Sequence, residues 1–250
     1  MMASALRGAV SFLTRLPAGG DGDDWDAFRR APAAFPAVGY LVGGLAGLAL
    51  LLPFPPATAA AAYLVAVYVV TGLPHADGLA DLGDAAAVHG DADRRREVMK
   101  DSATGVGGAL ALGLALLVLA LGAFGAAEMG SEVAAFRLVV AAEVGAKAGT
   151  ALLVCLGDPG HEGLGSRVVG EAGPVDLVLV AALALPAAVA GFSTFPALVA
   201  ALLAAPAVAL LVKRWADRRL GGVTGDVLGA ANELGRAAAL HAGVVAWTLF

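Results

Sequence analysis

The sequence predicts an all-α, polytopic integral membrane protein whose helices form a bundle. Of its 250 residues, 59% are hydrophobic and 15% are charged, whereas a soluble globular domain has about 25% charged residues. Long charge-free stretches recur along the chain, and about 20 mostly apolar residues let a helix cross the hydrocarbon core of a bilayer. Most arginines and lysines lie between those stretches. Residues 1–250 are therefore expected to form a single domain embedded in the lipid bilayer.

Composition also excludes several classes of protein. Intrinsic disorder requires low hydrophobicity, and the 34 glycines show no three-residue period of the collagen kind. The net charge of −5 argues against a dedicated nucleic-acid binder, so no nucleic-acid partner is expected. Cys155 is the only cysteine, which excludes an intramolecular disulfide.

The first 17 residues are predicted to form a short interfacial helix that lies on the membrane surface. Leu6, Val10 and Leu13 recur there at roughly helical spacing, which is typical of such helices. Residues 19–26 are acidic and rich in glycine, and we expect a solvated loop at that position.

Seven helices are predicted to cross the membrane. The charge-free run 177–212 is too long for one span, and Gly191, Ser193 and Pro196 offer a turn in its middle, so it is divided into two short spans. The last span has unusual polar content, and six spans are the fallback if that helix is not fully inserted. The predicted spans are residues 35–53, 57–73, 105–127, 133–156, 177–192, 195–212 and 225–250.

The distribution of positive charge predicts the orientation of these spans. Thirteen of the 16 lysines and arginines lie in segments that alternate to one side, and the turns on the other side hold none. The three that remain, Arg137, Lys147 and Arg236, lie inside predicted spans. Cytoplasmic loops carry the excess of Lys and Arg. We therefore expect a multi-pass protein of the cell membrane, with the N-terminus and the long loops in the cytoplasm.

Three aspartates cluster where the second span should meet the cytoplasm. Asp77, Asp81 and Asp84 are spaced i, i+4, i+7, which places them on one face if the segment is helical. Like charges on one face repel each other, and a bound cation such as Mg²⁺, which prefers carboxylate and phosphate oxygens, removes that repulsion. The alternative is an exposed acidic loop. His75 nearby fits either a hydrogen bond at a helix end or a ligand.

A basic run follows the aspartates. Arg94 to Arg96 beside an acidic cluster suit a substrate whose phosphates bridge a metal and basic side chains. A patch that only sets membrane topology explains the same arginines equally well. Lys100 and Asp101 come just before the third span, at the predicted membrane surface.

The last span carries polar side chains at membrane depth, where they are costly and usually face a cavity or each other. Asp226 follows Thr224 and Gly225, so one alternative is that it caps the helix. For Glu233 and Arg236, at i, i+3, one alternative is that they neutralise each other, and for Glu143 and Lys147, at i, i+4, this is the expected arrangement. The polar residues of this span are Asp226, Asn232, Glu233, Arg236 and His241.

Six strings, in this order and over nearly the whole chain, resemble the cobalamin synthase family, the adenosylcobinamide-GDP ribazoletransferases. Two of them, the string from His75 to Asp81 and the string from Gly221 to Ala230, are highly specific in combination. The strings are Phe12–Pro17, Phe35–Gly39, His75–Asp81 with Asp84, Met99–Ser102 with Gly105, Gly163–Gly165, and Gly221–Ala230.

The resemblance implies the final step of cobalamin synthesis. In that step the adenosylcobinamide-phosphate group of adenosylcobinamide-GDP passes to α-ribazole, or to α-ribazole 5′-phosphate, and GMP leaves in a Mg²⁺-dependent reaction. Lys100 and Arg15 would contact phosphate, and His75 would orient a carboxylate or contact substrate. Asp226, Asn232 and Glu233 would complete the substrate site from the last span. The catalytic residues and Mg²⁺ ligands would be Asp77, Asp81, Asp84 and Asp101.

Two readings from other classes remain open at this point. In a transporter, Asp226, Glu233, Arg236 and His241 would line an ion path, but that reading leaves the aspartates at the membrane surface unexplained. A non-catalytic scaffold for corrinoid enzymes would tolerate changes of those aspartates. The sequence also leaves open a homo-oligomer or a complex with other corrinoid-assembly enzymes.

Overall fold

The computed structural model describes residues 2–160, 163, 165, 167–191 and 194–250. These residues form eleven α-helices and three short 3₁₀ segments, so the predicted all-α class is confirmed. The helices are α1 Met2–Leu13, α2 Gly22–Arg29, α3 Ala34–Gly47, α4 Pro56–Thr71, α5 Pro74–Ala87, α6 Ala92–Met99, α7 Val106–Ala127, α8 Glu132–Leu156, α9 Leu177–Ala184, α10 Phe195–Arg219 and α11 Gly225–Leu249. The 3₁₀ segments are Leu48–Leu51, Pro174–Asp176 and Leu185–Ala187.

Within the described ranges, four helices are long and apolar enough to cross a membrane, and α4 with α5 makes a fifth if this bent pair counts as one span. The polytopic character is thereby confirmed, whereas helix length and composition do not reproduce the number seven. The two other predicted spans correspond to α9 and α11. The four qualifying spans are Ala34–Leu51, Val106–Ala127, Glu132–Leu156 and Phe195–Arg219.

The predicted span 177–192 is not one continuous helix. The apolar segment Pro174–Ala187 is helical, and its 14 residues would reach only about 21 Å at ~1.5 Å per residue, less than the ~30 Å of hydrocarbon. Pro186 lies in the 3₁₀ segment that ends the helical part, where a proline cannot donate a backbone hydrogen bond. The chain nevertheless runs along α8, because Gly170 donates to the carbonyl of Val154 and Gly191 packs against Arg137.

The break between the two short spans lies where the sequence predicts it, but Pro196 has another role. Helix α10 begins at Phe195, and Pro196 belongs to its first turn, where a proline is well tolerated. The third predicted turn residue, Ser193, lies outside the described residues.

In the N-terminal segment, one predicted helix is confirmed and one predicted loop is partly replaced by a helix. Helix α1 covers most of the predicted interfacial helix. The loop predicted for residues 19–26 holds only for residues 19–21 and is wrong beyond them, since helix α2 begins at Gly22. Its start is fixed by a reciprocal capping box in which the side chain of Asp21 accepts from the backbone of Asp24 and that of Asp24 accepts from the backbone of Asp21.

Helix α11 lies at the centre of the bundle and packs against α5, α7, α8 and α10. Its 25 residues span about 37 Å at ~1.5 Å per residue, which is enough to cross a bilayer. It is not among the spans that are apolar enough by composition, and it carries several polar residues. Asn232, Glu233 and Arg236 are at most 3% exposed, so these groups face other helices instead of lipid.

A sharp bend after α4 places the aspartate-rich helix. The axes of α4 and α5 differ by 96°, and the chain turns at Gly72, whose φ of +70° lies in the region that favours glycine. If α4 crosses the bilayer, α5 runs roughly parallel to the membrane plane. The aspartates of α5 then lie along the end of the bundle and not at graded depths within it.

Candidate active site

The predicted helical face of aspartates is present on α5. Pro74 occupies its first turn, and Asp77, Asp81 and Asp84 follow at helical spacing. Asp77 is exposed, whereas Asp81 and Asp84 are partly buried. The carboxylate of Asp81 interacts electrostatically with Asp77 and Asp84 on its own helix, and with Asp226 on α11. The structure therefore adds a fourth carboxylate to the three that share one face of α5.

Two glycines bring α5 and α11 into backbone contact at this point. A Cβ atom on Gly78 would lie 2.7 Å from the Cα of Asp226, and one on Gly229 would lie 2.9 Å from the Cα of His75. Both distances are shorter than side chains allow, so only glycine permits this approach. Because the helices touch here, the carboxylate of Asp226 lies beside those of α5.

Thr224, and not Asp226, caps α11. The Thr224 hydroxyl accepts from the backbone N–H of Val227 at 3.3 Å and donates to a carboxylate oxygen of Asp226 at 3.4 Å. Asp226 occupies the first turn, where the helix dipole favours a negative charge. The capping alternative for Asp226 is therefore wrong, and its carboxylate lies beside the α5 group.

Asp84 fixes the start of α7. Its two carboxylate oxygens accept from the backbone N–H groups of Gly105 at 2.7 Å and Gly108 at 2.8 Å. A Cβ atom on either glycine would come within 2.6 Å of an Asp84 oxygen, so the glycines make room for this carboxylate. Asp84 thus acts as a helix cap supplied by a neighbouring helix, whereas the side chain of Asp77 is exposed.

His75 and the two predicted groups before α7 have different surroundings. His75 packs against α11, and its buried Nδ1 has no hydrogen-bond partner. Lys100 and Asp101 are exposed in the connection between α6 and α7, and Asp101 accepts from the backbone N–H of Ala103 at 3.0 Å. Among the described residues no hydrogen bond or ion pair joins Lys100 or Asp101 to the carboxylates of α5.

Arg15 lies beside the bend between α4 and α5. Its backbone N–H donates to the carbonyl of Val70 at 2.7 Å. Its side chain passes over Gly72, where a Cβ atom would come within 2.8 Å of the Arg15 Nε. The string from Phe12 to Pro17 is thereby held against the start of the aspartate-rich helix.

Two arginines of the basic run have a structural role that sequence reasoning missed. Arg95 is 7% exposed and donates to the carbonyl of Ala85 near the C-terminus of α5. Arg96 donates to the carbonyl of Leu220 at 2.8 Å, at the end of α10. Basic side chains suit helix C-termini, whose last carbonyls lack partners. Helix α6 therefore ties α5 to the turn that leads into α11.

Asn232 and Glu233, which the resemblance assigns to the substrate site, lie in a buried polar network. Lys147 donates to the side-chain oxygen of Asn232 at 2.7 Å, and the Asn232 amide donates to Glu233 at 3.3 Å. Arg236 donates to both oxygens of Glu233, at 2.9 and 3.0 Å. The hydroxyl of Tyr68 donates to Glu233 at 2.9 Å. Both residues thus have their polar atoms occupied by protein partners.

The same network corrects one predicted ion pair. Glu143 binds Arg236 with an Nε–Oε1 distance of 2.5 Å and accepts from the hydroxyl of Tyr63 at 3.0 Å. Lys147 makes its hydrogen bond to Asn232 and not to Glu143, four residues before it. The pair of Glu233 with Arg236 is present. Two carboxylates and two cations balance within the network, which limits the cost of burying them.

The donor set at the end of the bundle fits one kind of metal better than others. Within the described ranges, no three His, Cys, Asp or Glu side chains form a ready-made metal cage. Mg²⁺ seldom needs one, because it usually binds through one or two carboxylates, several waters and the phosphates of a substrate. Asp77, Asp81 and Asp226 bring hard oxygen donors near enough to interact electrostatically, and such donors are the kind that Mg²⁺ takes when a phosphorylated substrate supplies its other ligands.

Comparison with known proteins shows the family of the chain. The family model of cobalamin-5-phosphate synthase matches residues 5–244. The chain belongs to the cobalamin-5-phosphate synthase family. The family predicted from the sequence strings is therefore confirmed, and no solved structure matches the chain.

Full-length relatives support the same assignment. An adenosylcobinamide-GDP ribazoletransferase of Halorubrum lacusprofundi is 56% identical to this chain, and one of Haloquadratum walsbyi is 48% identical; each alignment covers 100% of both chains. A third, from Methanocella arvoryzae, is 33% identical over 99% of this chain and 98% of its own.

Strings that carried the resemblance to the cobalamin-5-phosphate synthase family meet at one end of the bundle. Gly78 of the third string touches Asp226 of the last one, and Asp84 binds Gly105 of the fourth. Gly165 of the fifth string packs backbone to backbone against Gly225; Leu164 beside it lies outside the described residues. Strings distant in sequence thus meet around the carboxylates of α5 and α11.

Proposed function

We propose that this chain catalyses the final step of cobalamin synthesis. It transfers the adenosylcobinamide-phosphate group of adenosylcobinamide-GDP to α-ribazole or α-ribazole 5′-phosphate, and GMP is released. The family and the full-length relatives, which bear the name of this ribazoletransferase, support the proposal. The chain is therefore a transferase whose substrates are a corrinoid diphosphate and a ribonucleoside or its phosphate.

The observation that carries this proposal is the meeting of carboxylates from two helices. Asp77, Asp81 and Asp84 of α5 and Asp226 of α11 lie close enough for each of the other three to act on the charge of Asp81. The absence of a side chain at Gly78 lets the two helices approach closely at that point. Concentrated negative charge of this kind is unfavourable unless a cation joins it, and phosphoryl-group transfer is a reaction that uses such a cation.

Mg²⁺ is the cation that we propose for this site, held by Asp77, Asp81 and Asp226 together with the diphosphate of the substrate. When bound, it supplies positive charge that offsets the negative charge developing on the departing GMP. Asp84 already binds two backbone N–H groups, so we assign it the role of fixing the start of α7 beside the ligands. Asp101, in the exposed connection before α7, is proposed as a further ligand of the Mg²⁺ ion.

The remaining steps of the transfer are assigned to other residues of the chain. A ribose hydroxyl of α-ribazole attacks the phosphorus that carries the cobinamide, the bond from that phosphorus to the bridging oxygen breaks, and GMP leaves with that oxygen. The proton of the hydroxyl passes to an aspartate of α5, which acts as general base. Lys100 is proposed to contact substrate phosphate from the exposed rim, and His75 to orient a carboxylate. Arg15, whose side chain lines a groove along α4, is left out of the proposed substrate site.

For Asn232 and Glu233 we propose a positioning role. Both are buried and bonded to protein partners, so they act by fixing α11. Since Asp226 is on the same helix, the network sets where its carboxylate lies relative to Asp81.

We propose that the carboxylates face the cytoplasm of a cell-membrane protein. The segments at the same end of the bundle, including α6 and the C-terminus of α10, carry many of the arginines, and positive charge favours the cytoplasmic side. Labelling of single introduced cysteines, after replacement of Cys155, with a membrane-impermeant reagent in intact cells tests this orientation.

The activity is tested with purified protein in detergent. Adenosylcobinamide-GDP, α-ribazole and Mg²⁺ are supplied, and cobalamin and GMP are measured by mass spectrometry. Asp81→Asn should lower turnover at least about 100-fold, since removal of one well-placed charge-stabilising group costs about that much. Glu128→Gln is the matched control, because Glu128 is exposed at the C-terminal end of α7, away from its Asp84-capped start. It should retain wild-type turnover.

Three outcomes would contradict the proposal. Unchanged turnover in Asp81→Asn would remove the carboxylate group from the mechanism. Full turnover after removal of divalent ions with EDTA would exclude Mg²⁺. Uptake of labelled substrate into vesicles without formation of cobalamin and GMP would favour a transporter.

A further inference from the structure

A groove on the outside of the bundle runs along α4 toward Arg15. It measures about 690 Å³ and is formed by side chains of α4 between Ala61 and Val69, by Leu116 of α7 and by Arg15. Apart from Arg15 and the hydroxyl of Tyr68, its walls are apolar. That hydroxyl is occupied, because it donates to Glu233 inside the bundle. The groove thus presents one apolar channel with a single charged group.

The charged group lies at one end of the channel. Ala61 and Val69 are eight residues apart on one helix, which corresponds to about 12 Å along its axis. Arg15 lies beyond Val69, because its backbone binds the carbonyl of Val70 and its side chain passes over Gly72. If the bent pair of α4 and α5 is one membrane span, the apolar part of the groove lies at hydrocarbon depth and Arg15 lies toward the membrane surface.

Arg15 lacks an internal counter-charge. Its side chain is exposed, and no ion pair joins it to a carboxylate within the described part of the chain. Two other exposed or half-exposed arginines are paired, by contrast: Arg29 binds Asp26 and Glu171, and Arg94 binds Glu97. The guanidinium of Arg15 is therefore available to an anion from outside the protein, and a guanidinium fork matches a phosphate well.

We propose that this groove binds one phospholipid with an anionic headgroup. The lipid phosphate lies against Arg15, and an acyl chain lies along α4 between Ala61 and Val69. The order of polarity along the groove matches that of a lipid, with charge at the surface and hydrocarbon below. Lipid also reaches the groove directly, because Val65 and Val69 beside it are 65% and 68% exposed and only 22% of the span Val106–Ala127 is buried.

The test is native mass spectrometry of the full chain, purified in detergent and titrated with dioleoyl phosphatidylglycerol or dioleoyl phosphatidylcholine. The wild type should retain one phosphatidylglycerol more tightly than it retains phosphatidylcholine. Arg15→Gln should weaken that binding about fivefold, the effect of one arginine near an anionic lipid surface. Arg94→Gln is the matched control, since it removes the same charge from an exposed arginine on α6 and should leave binding unchanged.

A second variant tests the apolar part of the groove. Ala61→Trp fills the channel from an exposed position and leaves the charge of Arg15 in place, so it should abolish the tightly held lipid while thermal unfolding stays that of the wild type. Equal phosphatidylglycerol binding by wild type, Arg15→Gln and Ala61→Trp would overturn the proposal. Equal affinity for the two lipids would also overturn it. So would a dimer that carries no lipid and that Ala61→Trp dissociates, because a second copy of the chain would then cover the groove. None of these measurements uses the ribazoletransferase reaction, so failure of the lipid site and failure of the proposed function are separate results.

Discussion

Replacement of Gly78 by alanine tests whether contact between α5 and α11 sets the geometry of the site. A Cβ atom at residue 78 would lie 2.7 Å from the Cα of Asp226 and 2.8 Å from its carbonyl oxygen. Both are backbone atoms, which cannot rotate away as a flexible side chain would. To restore ordinary contact, which begins at 3.4 Å, the helices must separate by about 0.7 Å. That separation moves Asp226 away from Asp81.

The magnitude follows from this displacement. A misplacement of about 1 Å at a reacting centre costs roughly 100-fold in rate, so we expect Gly78→Ala to lower kcat/KM by about 10- to 100-fold. Overpacking at a tight contact also costs about 1–3 kcal/mol of stability. The variant still carries every carboxylate of the site, so lost activity would reflect position and not chemistry.

The assay measures kcat/KM for cobalamin formation and thermal unfolding in detergent for Gly78→Ala and a control. The control is Gly113→Ala on α7, where a Cβ atom meets no other atom within 4 Å. Alanine there should keep wild-type activity and stabilise the helix by about 0.5–1 kcal/mol. If folded Gly78→Ala retains kcat/KM within about twofold of the wild type, the contact does not position the carboxylates and our reasoning is wrong.

Two further substitutions test the roles assigned to buried arginines. Arg236→Gln should destabilise the protein by about 3–5 kcal/mol, because Glu143 and Glu233 would stay buried without their cation; a melting temperature equal to that of the wild type would contradict this. Arg95→Gln removes the cap at the Ala85 carbonyl and should lower thermal stability with KM for adenosylcobinamide-GDP unchanged. A raised KM at unchanged stability would instead make Arg95 a phosphate contact.

Local patterns in the sequence predicted the parts of the site that depend on one helix. The spacing of Asp77, Asp81 and Asp84 was enough to place them on one face, because a helix brings every third or fourth residue to the same side. The family strings identified Asp226 as a partner, but no local pattern indicates that Gly78 touches it. That contact joins residues 148 positions apart and depends on how two helices cross.

The predicted ion pair of Glu143 is wrong because a residue distant in sequence binds this carboxylate in place of a near one. Lys147 is four residues from Glu143, yet Arg236, 93 residues away, takes that carboxylate. A planar guanidinium can serve Glu143 and Glu233 at once, which the single ammonium of a lysine does less well. The missed helix α2 is a different case, since Asp21 and Asp24 stand in the sequence at capping-box spacing, which is a local signal of a helix start even in an acidic segment.

The buried polar network has a consequence for biogenesis. Helix α11 is too polar to qualify as a span by itself, so a nascent α11 would enter lipid poorly as an isolated segment. Its partners Tyr68, Glu143 and Lys147 lie on α4 and α8, which precede it in the chain. These helices can therefore already be in the membrane when α11 emerges from the ribosome. The polar side chains already in the membrane would then stabilise α11 as it inserts. The site that includes Asp226 would be complete only after α11 has inserted.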